Sequence, residues 1–408
     1  MKINPWTLGL ISAGLVSIPA ATQAEEKPSS VMTAVSATTL SGYVDTSAQW
    51  NFGTGNQALP PYAFGGTSKA DGFNLNVVEL LLEKPVETSE GWAAGYKVDL
   101  IAGPDANTLS TQSSGVHGDF GVKQAYVALH APIAPNGLDF KMGVFDTPIG
   151  YEVFTSALDP NFTRSYGYSM EPTTHTGLQG TYNFCESFSA TAGVVDTLGP
   201  KINERANPPK AESFKTYLGA VTFTAPTNSG FLSGSTLTGV IINGYNSGVG
   251  TATTVGENET SYYVGATLNT PVTGLKVGTC FDYLDVHHAS GETWALGGYA
   301  SFQATEKLSL YARGEYVRDR GEQKFFATRT TDPDTGEVTS VTPTAPDKVL
   351  ELTATVQYDL WKNVLTRLEL RWDHSLTGEG VWGTVNPDTG VGSLKNEWML
   401  AANIVYKF

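Results

Sequence analysis

Cysteine is almost missing from this chain: Cys185 and Cys280 are the two among 408 residues. That excludes the disulfide framework on which small exported domains depend. Cys185 falls in an expected tight turn and Cys280 in mid-strand, so no pairing between them is expected. Long apolar runs are missing too. Nothing after residue 24 offers the roughly 20 apolar residues of a membrane-spanning helix, so a membrane location would require a closed barrel of strands. Positive charge is scarce, with 25 Lys and Arg against 40 Asp and Glu for a net −15, which argues against nucleic acid as a partner. The six histidines show no metal-ligand spacing, and His287-His288 reads as a solvated strand end. No glycine-rich phosphate loop occurs, and no nucleophile signature accompanies His175 or His374. Asp332-Pro-Asp-Thr-Gly-Glu337 and Asn386-Pro-Asp-Thr-Gly390 lack the full ligand set of a calcium loop and read as turns. An enzyme, a cofactor and a bound metal are therefore not expected. No Pro/Ser-rich linker or charge run splits the interior.

What is present points to export. Lys2 is followed by an apolar run, Trp6 to Ala21, broken by Gly9, Gly14 and Pro19, and then by Thr22-Gln23-Ala24. This layout is that of a secretory signal peptide over residues 1–24, with 25–37 as an N-terminal periplasmic segment. At the other end, Trp398, Leu400, Ala402, Ile404, Tyr406 and Phe408 alternate with Glu397, Met399, Asn403 and Lys407. Strict alternation places the two sets on opposite faces of one strand. Aromatics near both ends of the apolar face suit the two interfaces of a bilayer. A last strand ending on an aromatic resembles the close of bacterial outer-membrane β-barrel proteins.

Period-2 stretches bounded by turn residues give sixteen candidate strands. They are Leu40–Trp50, Phe73–Lys84, Trp92–Ala102, Phe120–Ala131, Leu138–Phe145, His175–Phe184, Phe188–Asp196 and Phe214–Thr224. The second eight are Ser235–Asn246, Thr260–Asn269, Leu275–Val286, Thr293–Gln303, Leu308–Asp319, Val349–Tyr358, Val364–His374 and Asn396–Phe408. Connections alternate long and short, the long ones being 51–72, 103–119, 146–174, 197–213, 247–259, 320–348 and 375–395; the link at 287–292 breaks the alternation. The expected fold is all-β: an antiparallel up-and-down transmembrane barrel over 38–408, with long extracellular loops and short periplasmic turns. The last strand should close against Leu40–Trp50.

The faces agree in the clearer strands. Val364, Thr366, Leu368, Leu370 and Trp372 oppose Arg367, Glu369, Arg371 and Asp373; Trp92, Ala94, Tyr96, Val98 and Leu100 oppose Lys97 and Asp99; Leu308, Leu310, Ala312 and Tyr316 oppose Arg313 and Glu315. Basic residues facing lipid at mid-depth would cost about 2–4 kcal/mol each, so the charged faces should line the interior, and that interior is expected to be wet. The fourth, eighth and ninth strands cannot be oriented by their pattern.

The loop 146–174 carries Tyr151, Phe154, Phe162, Tyr166 and Tyr168 with Asp146, Glu152, Asp159, Arg164 and Glu171. Its apolar content suits a loop folded into the barrel better than a solvated one. Gly143-Val-Phe-Asp-Thr-Pro-Ile-Gly-Tyr-Glu152, Asn161-Phe-Thr-Arg-Ser165 and Pro172-Thr-Thr-His-Thr-Gly177 resemble the OmpL-like β-barrel porins of Gram-negative bacteria, as do Ser41-Gly-Tyr-Val-Asp45 and Phe73–Lys84 more weakly. The resemblance implies an outer-membrane channel in contact with outer-membrane lipid, without naming a substrate. Similarity to general porins further implies an inward loop after the fifth strand, its carboxylates set against wall arginines, and a homotrimer. On that basis Asp146, Glu152, Asp159 and Arg164 would form the constriction, and Lys97, Asp99, Arg313, Glu315, Arg367, Glu369, Arg371 and Asp373 the pore wall. Local ion pairs, Arg313 with Glu315 or Arg367 with Glu369, are the competing role for the arginines. Under the constriction reading, replacing Arg367 and Arg371 by Ala raises cation preference.

The expected function is passive diffusion of small hydrophilic solutes. The alternatives are a sugar-selective channel stacking substrate on Tyr166, Tyr168, Tyr299 or Tyr311, a membrane-embedded hydrolase, and a closed structural or adhesive barrel.

Overall fold

Sixteen strands close on themselves in one antiparallel ring. The computed structural model describes residues 38–408 apart from 54, 88–90, 114–117, 207–213, 247–257, 288–291, 321–323, 326, 332–337, 344–346, 379 and 388–391. The expected signal peptide and periplasmic segment lie outside the described residues, as do 332–337 and much of 386–390. The first strands are β1 (Thr39–Asn51), β2 (Gly72–Lys84), β3 (Ala93–Ala102), β4 (Phe120–Ala131), β5 (Leu138–Asp146), β6 (Thr174–Cys185) and β7 (Phe188–Val195). Next come β8 (Thr216–Thr224), β9 (Thr236–Tyr245), β10 (Asn258–Asn269), β11 (Leu275–Val286), β12 (Glu292–Gln303) and β13 (Leu308–Arg320). After β13 a hairpin intervenes, β14 (Ala327–Thr331) with β15 (Val338–Pro343). The ring resumes with β16 (Lys348–Trp361) and β17 (Val364–Ser375). A second hairpin, β18 (Trp382–Val385) with β19 (Gly392–Leu394), precedes β20 (Asn396–Lys407). The hairpins fall inside the expected long loops 320–348 and 375–395 and leave the count of wall strands at sixteen. Two short helices, α1 (Pro104–Leu109) and α2 (Tyr166–Met170), lie in the long connections after β3 and β5.

Each wall strand pairs with its sequence neighbour, and β20 closes on β1 from Tyr43↔Lys407 to Asn51↔Met399. The chain end is stitched in by reciprocal backbone hydrogen bonds of 3.0 Å between Phe408 and Gly42. Among the described residues no helix is long and apolar enough to cross a membrane; the ring satisfies its backbone by closure instead. Its outer face is apolar, with Phe73, Trp50 and Trp398 near the long-loop end and Trp92, Trp361 and Tyr406 near the short-turn end. Trp372 and Trp398, cross-strand partners, stack at 5.7 Å.

Two bulges keep that outer face continuous. Asn76 on β2 has no partner on β1, and Lys123 on β4 has none on β3. One extra residue reverses which side chains point inward beyond it, so Asn76 and Val77 both turn in, as do Lys123 and Gln124. This is why β4 has no readable parity. On β8 and β9 the cause is different: Leu218, Ala220, Val240 and Ile242 face inward, so both sides of these strands are apolar.

Candidate functional site

The chain between β5 and β6 runs inside the ring and is tied to β13, β16 and β17. Glu369 on β17 accepts hydrogen bonds from the backbone N–H groups of Phe162 and Thr163 and from the hydroxyls of Thr163 and Thr355. Arg313 on β13 donates to the Thr163 carbonyl at 2.7 Å and pairs with Glu152 at 2.9 Å and Glu351 at 3.2 Å. Arg371 donates to the Arg164 carbonyl at 2.7 Å, and Arg367 donates to the carbonyls of Ser156 and Asp159 at 2.7 and 2.6 Å. Glu315 receives the first backbone N–H groups of α2, from Tyr166 at 2.8 Å and Gly167 at 3.1 Å. A carboxylate there complements the helix end. Because the arginines hold main-chain atoms, the loop is fixed through its backbone.

These side chains are dry. Arg371, Glu369 and Glu351 are 0 % exposed, so the water expected against the wall charges is replaced along β13, β16 and β17 by loop atoms. Buried charge is tolerable only when paired and hydrogen-bonded, and the contacts above meet that requirement. Arg371 also forks onto Asp373 at 2.8 and 3.0 Å and lies 3.9 Å from the ring centroid of Tyr62 in the β1–β2 loop. The competing local pair Arg313–Glu315 is a loose 3.9 Å.

The opposite inner wall is apolar. Ile149 and Tyr151 of the loop pack on a cluster containing Leu218, Val240, Ile242 and Tyr263, and Tyr151 stacks on Tyr299 with centroids 4.0 Å apart. At the long-loop end, Tyr166 is covered by Phe325 and belongs to a cluster with Met170 and Trp382. Ala58 bridges Gly383, joining the first and last long loops, while Lys69 pairs with Asp105 at the start of α1.

Two of the open volumes border Glu171. One of about 200 Å³ lies between the loop and the β9–β11 wall, reaching Thr236, Asn269 and Lys276 near the short-turn end. The other, about 450 Å³, opens toward the long-loop end between Phe64, Leu198 and Phe325. Leu109, Tyr168, Glu171, Pro172 and Thr173 line both.

The predicted residues divide between these regions. Asp146, Glu152 and Asp159 line the smaller volume. Arg164 turns back into its own loop, donating to the carbonyls of Phe154 and Phe162 and standing 3.1 Å from Asp159 without hydrogen-bond alignment. Burial pushes the Asp159 carboxyl up to about 7, with Arg164 pulling against that shift. Asp99 is joined to Asp146 through Lys123, whose ammonium is 3.1 Å from each. Lys97 is buried on the inner face of β3. Arg313, Glu315, Arg367, Glu369, Arg371 and Asp373 all lie beneath the loop. Four residues of consequence escaped the pattern: Lys123 at a bulge, Glu351 on β16, Asp282 on β11 and the wall residue Lys276. Of the tyrosines considered for sugar stacking, Tyr166, Tyr168 and Tyr299 are buried. Among the described residues no group of three or more His, Cys, Asp or Glu is placed to hold a metal ion.

Solved outer-membrane proteins share this architecture. An anion-selective porin from Comamonas acidovorans is similar with a TM-score of 0.57 at 12% identity, over 91% of this chain and 99% of that one. The outer-membrane channel DcaP of Acinetobacter baumannii gives 0.54 at 10%, over 91% and 97%. In-vitro folded OmpT of Vibrio cholerae, in its trimer form, gives 0.51 at 15%, over 91% and 99%. At such identities the likeness establishes the fold alone. No curated protein sequence matches the chain. The sequence model of the family described as "Putative beta-barrel porin-2, OmpL-like" matches residues 37–408, nearly the whole chain. The ring, its apolar belt and this match make the chain a member of that family, a bacterial outer-membrane porin.

Proposed function

We propose that solutes cross by passive diffusion along an off-centre path between the 146–174 loop and the β9–β11 wall. The supporting observation is that the two open volumes share the lining at Glu171. In this reading Asp146, Glu152 and Asp159 set the charge of the constriction, and Arg164 stiffens its turn. Arg313, Arg367, Arg371, Glu315, Glu369 and Asp373 hold the loop against the wall, leaving the path elsewhere. Lys97 and Asp99 belong to the wall on the β3 side.

Small hydrophilic solutes are the permeants, and no catalytic step is involved. The sugar-stacking alternative gains nothing from Tyr166, which is fully buried, or from Tyr299, which is buried and stacked on Tyr151. A homotrimer is proposed from the trimer form of the similar Vibrio cholerae protein. Planar-bilayer recording on the purified protein tests the reading: stepwise, ohmic conductance increments support it, and an inserted protein that carries no current overturns it. Mass measurement in detergent should return three chains.

A further inference from the structure

We infer that Lys276, on the inner face of β11, is a resting point for singly charged, hydroxylated organic carboxylates, sugar acids in chemical class, as they cross the barrel. This deepens the diffusion reading above and rests on it. Asn269 and Lys276 line both the volume between the loop and the β9–β11 wall and a further volume of about 230 Å³ at the short-turn end. Lys276 is the one basic residue among those lining either. It is half-buried, and no hydrogen bond or ion pair among the described residues engages its ammonium. Lys123, Arg313 and Arg371, by contrast, each have carboxylate partners at 2.8–3.2 Å. A partly desolvated charge without a partner gains by taking one from solution.

The nearby carboxylates do not supply that partner. Asp146, Glu152 and Asp159 have basic neighbours of their own at 2.9–3.1 Å. The Glu171 carboxyl lies against that of Asp282, an arrangement that holds a proton between them. Asp359, the one acidic residue lining the turn-end volume, stands three strands away on β16.

The neutral lining fixes the rest of the solute. In register with Lys276 are Asn269 on β10 and Ser301 on β12, and Ser301 in turn faces Tyr311 on β13. The next inward row toward the turns is Gln303, Ser309 and Gln357. All six line the turn-end volume. Amides and hydroxyls both donate and accept, which suits the hydroxyls of a polyol. Gln357 accepts the Arg367 Nε–H at 3.4 Å on its carbonyl oxygen, which leaves its amide N–H groups for a solute. An apolar carboxylate would displace water from this lining without replacing its hydrogen bonds. Phosphate calls for several charged or bidentate donors, whereas one ammonium matches one carboxylate.

The test uses the full-length protein in planar bilayers in KCl, with D-gluconate, D-sorbitol and n-hexanoate as probes. Sorbitol keeps the hydroxyls without the charge, and hexanoate keeps the charge without the hydroxyls. The expected result is a saturable, millimolar block by gluconate, at least tenfold weaker with either of the other two. Lys276→Gln, checked for heat-modifiable migration as evidence of a folded barrel, should weaken the gluconate block at least tenfold, and Lys276→Arg should retain it. Equal block by sorbitol, equal block by hexanoate, or block unchanged in the folded Lys276→Gln protein each overturns the inference and leaves the channel standing. So does a current that gluconate does not alter. Absence of any current defeats the diffusion reading itself, and with it this one.

Discussion

Arg371 Nη1 donates to the main-chain carbonyl of Arg164, 2.7 Å away and 207 positions earlier in the chain. The contact fastens the middle of the inward loop to β17, and the same guanidinium forks onto Asp373. Replacing Arg371 by Ala strands a buried carboxylate and a carbonyl, a loss of about 3–5 kcal/mol for a broken buried pair. The loop should come away from the wall. Single-channel records of Arg371→Ala are expected to show larger and noisier conductance with a lower unfolding temperature. Arg371→Lys should rescue little, because an ammonium cannot reproduce the fork.

Lys123 stands between Asp99 and Asp146, 3.1 Å from each. Lys123→Met leaves two carboxylates facing one another in a buried site, and destabilisation of about 3–5 kcal/mol is expected. The temperature at which the barrel unfolds on heating in detergent measures it. Adding Asp146→Asn should recover part of the loss; no recovery would mean that Lys123 acts through packing alone.

Asp159 gives the loop a pH dependence of definite sign. Burial raises its carboxyl from the ordinary 3.8 to about 7, so the docked loop binds a proton that the undocked chain releases. Its contribution is greatest below the ordinary carboxylate range and declines as pH rises from about 4 to about 7. Loop openings in bilayer recordings should therefore become more frequent from pH 5 to pH 8, and Asp159→Asn should flatten that trend.

Gly143 on β5 has φ +135°, and a Cβ there would stand 2.3 Å from the Ala125 carbonyl on β4. Both conformation and space exclude a side chain. Gly143→Val is expected to break the β4–β5 seam, detectable as loss of the heat-resistant compact form on gels.

The wall was legible because a bilayer and a wet lumen impose opposite demands on alternate residues. Val364 to Asp373 displays this in ten positions, and the two hairpins hid inside loops without disturbing the count. Parity failed where a bulge at Lys123 shifts the alternation, and on β8 and β9, where Leu218 and Ile242 make the inner face as apolar as the outer. The charges of the interior were legible and their partners were not. Arg313, Arg367 and Arg371 were expected to look across a gap at loop carboxylates. Arg313 does meet Glu152, yet each of the three also grips a carbonyl oxygen of the loop, which every residue carries and no sequence pattern marks. Asp282 was invisible for a related reason: nothing in Gly278-Thr-Cys-Phe-Asp282 announces that a loop more than 100 residues earlier will bring Glu171 against it.

The backbone attachment of the loop separates two properties that are usually entangled. Side chains facing the open path, such as Asp146, Ile149 and Glu171, can be exchanged without touching the bonds made by Glu369, Arg313 and Arg371. A lineage descending from such a barrel could try new permeants one substitution at a time while the obstruction itself stays in place.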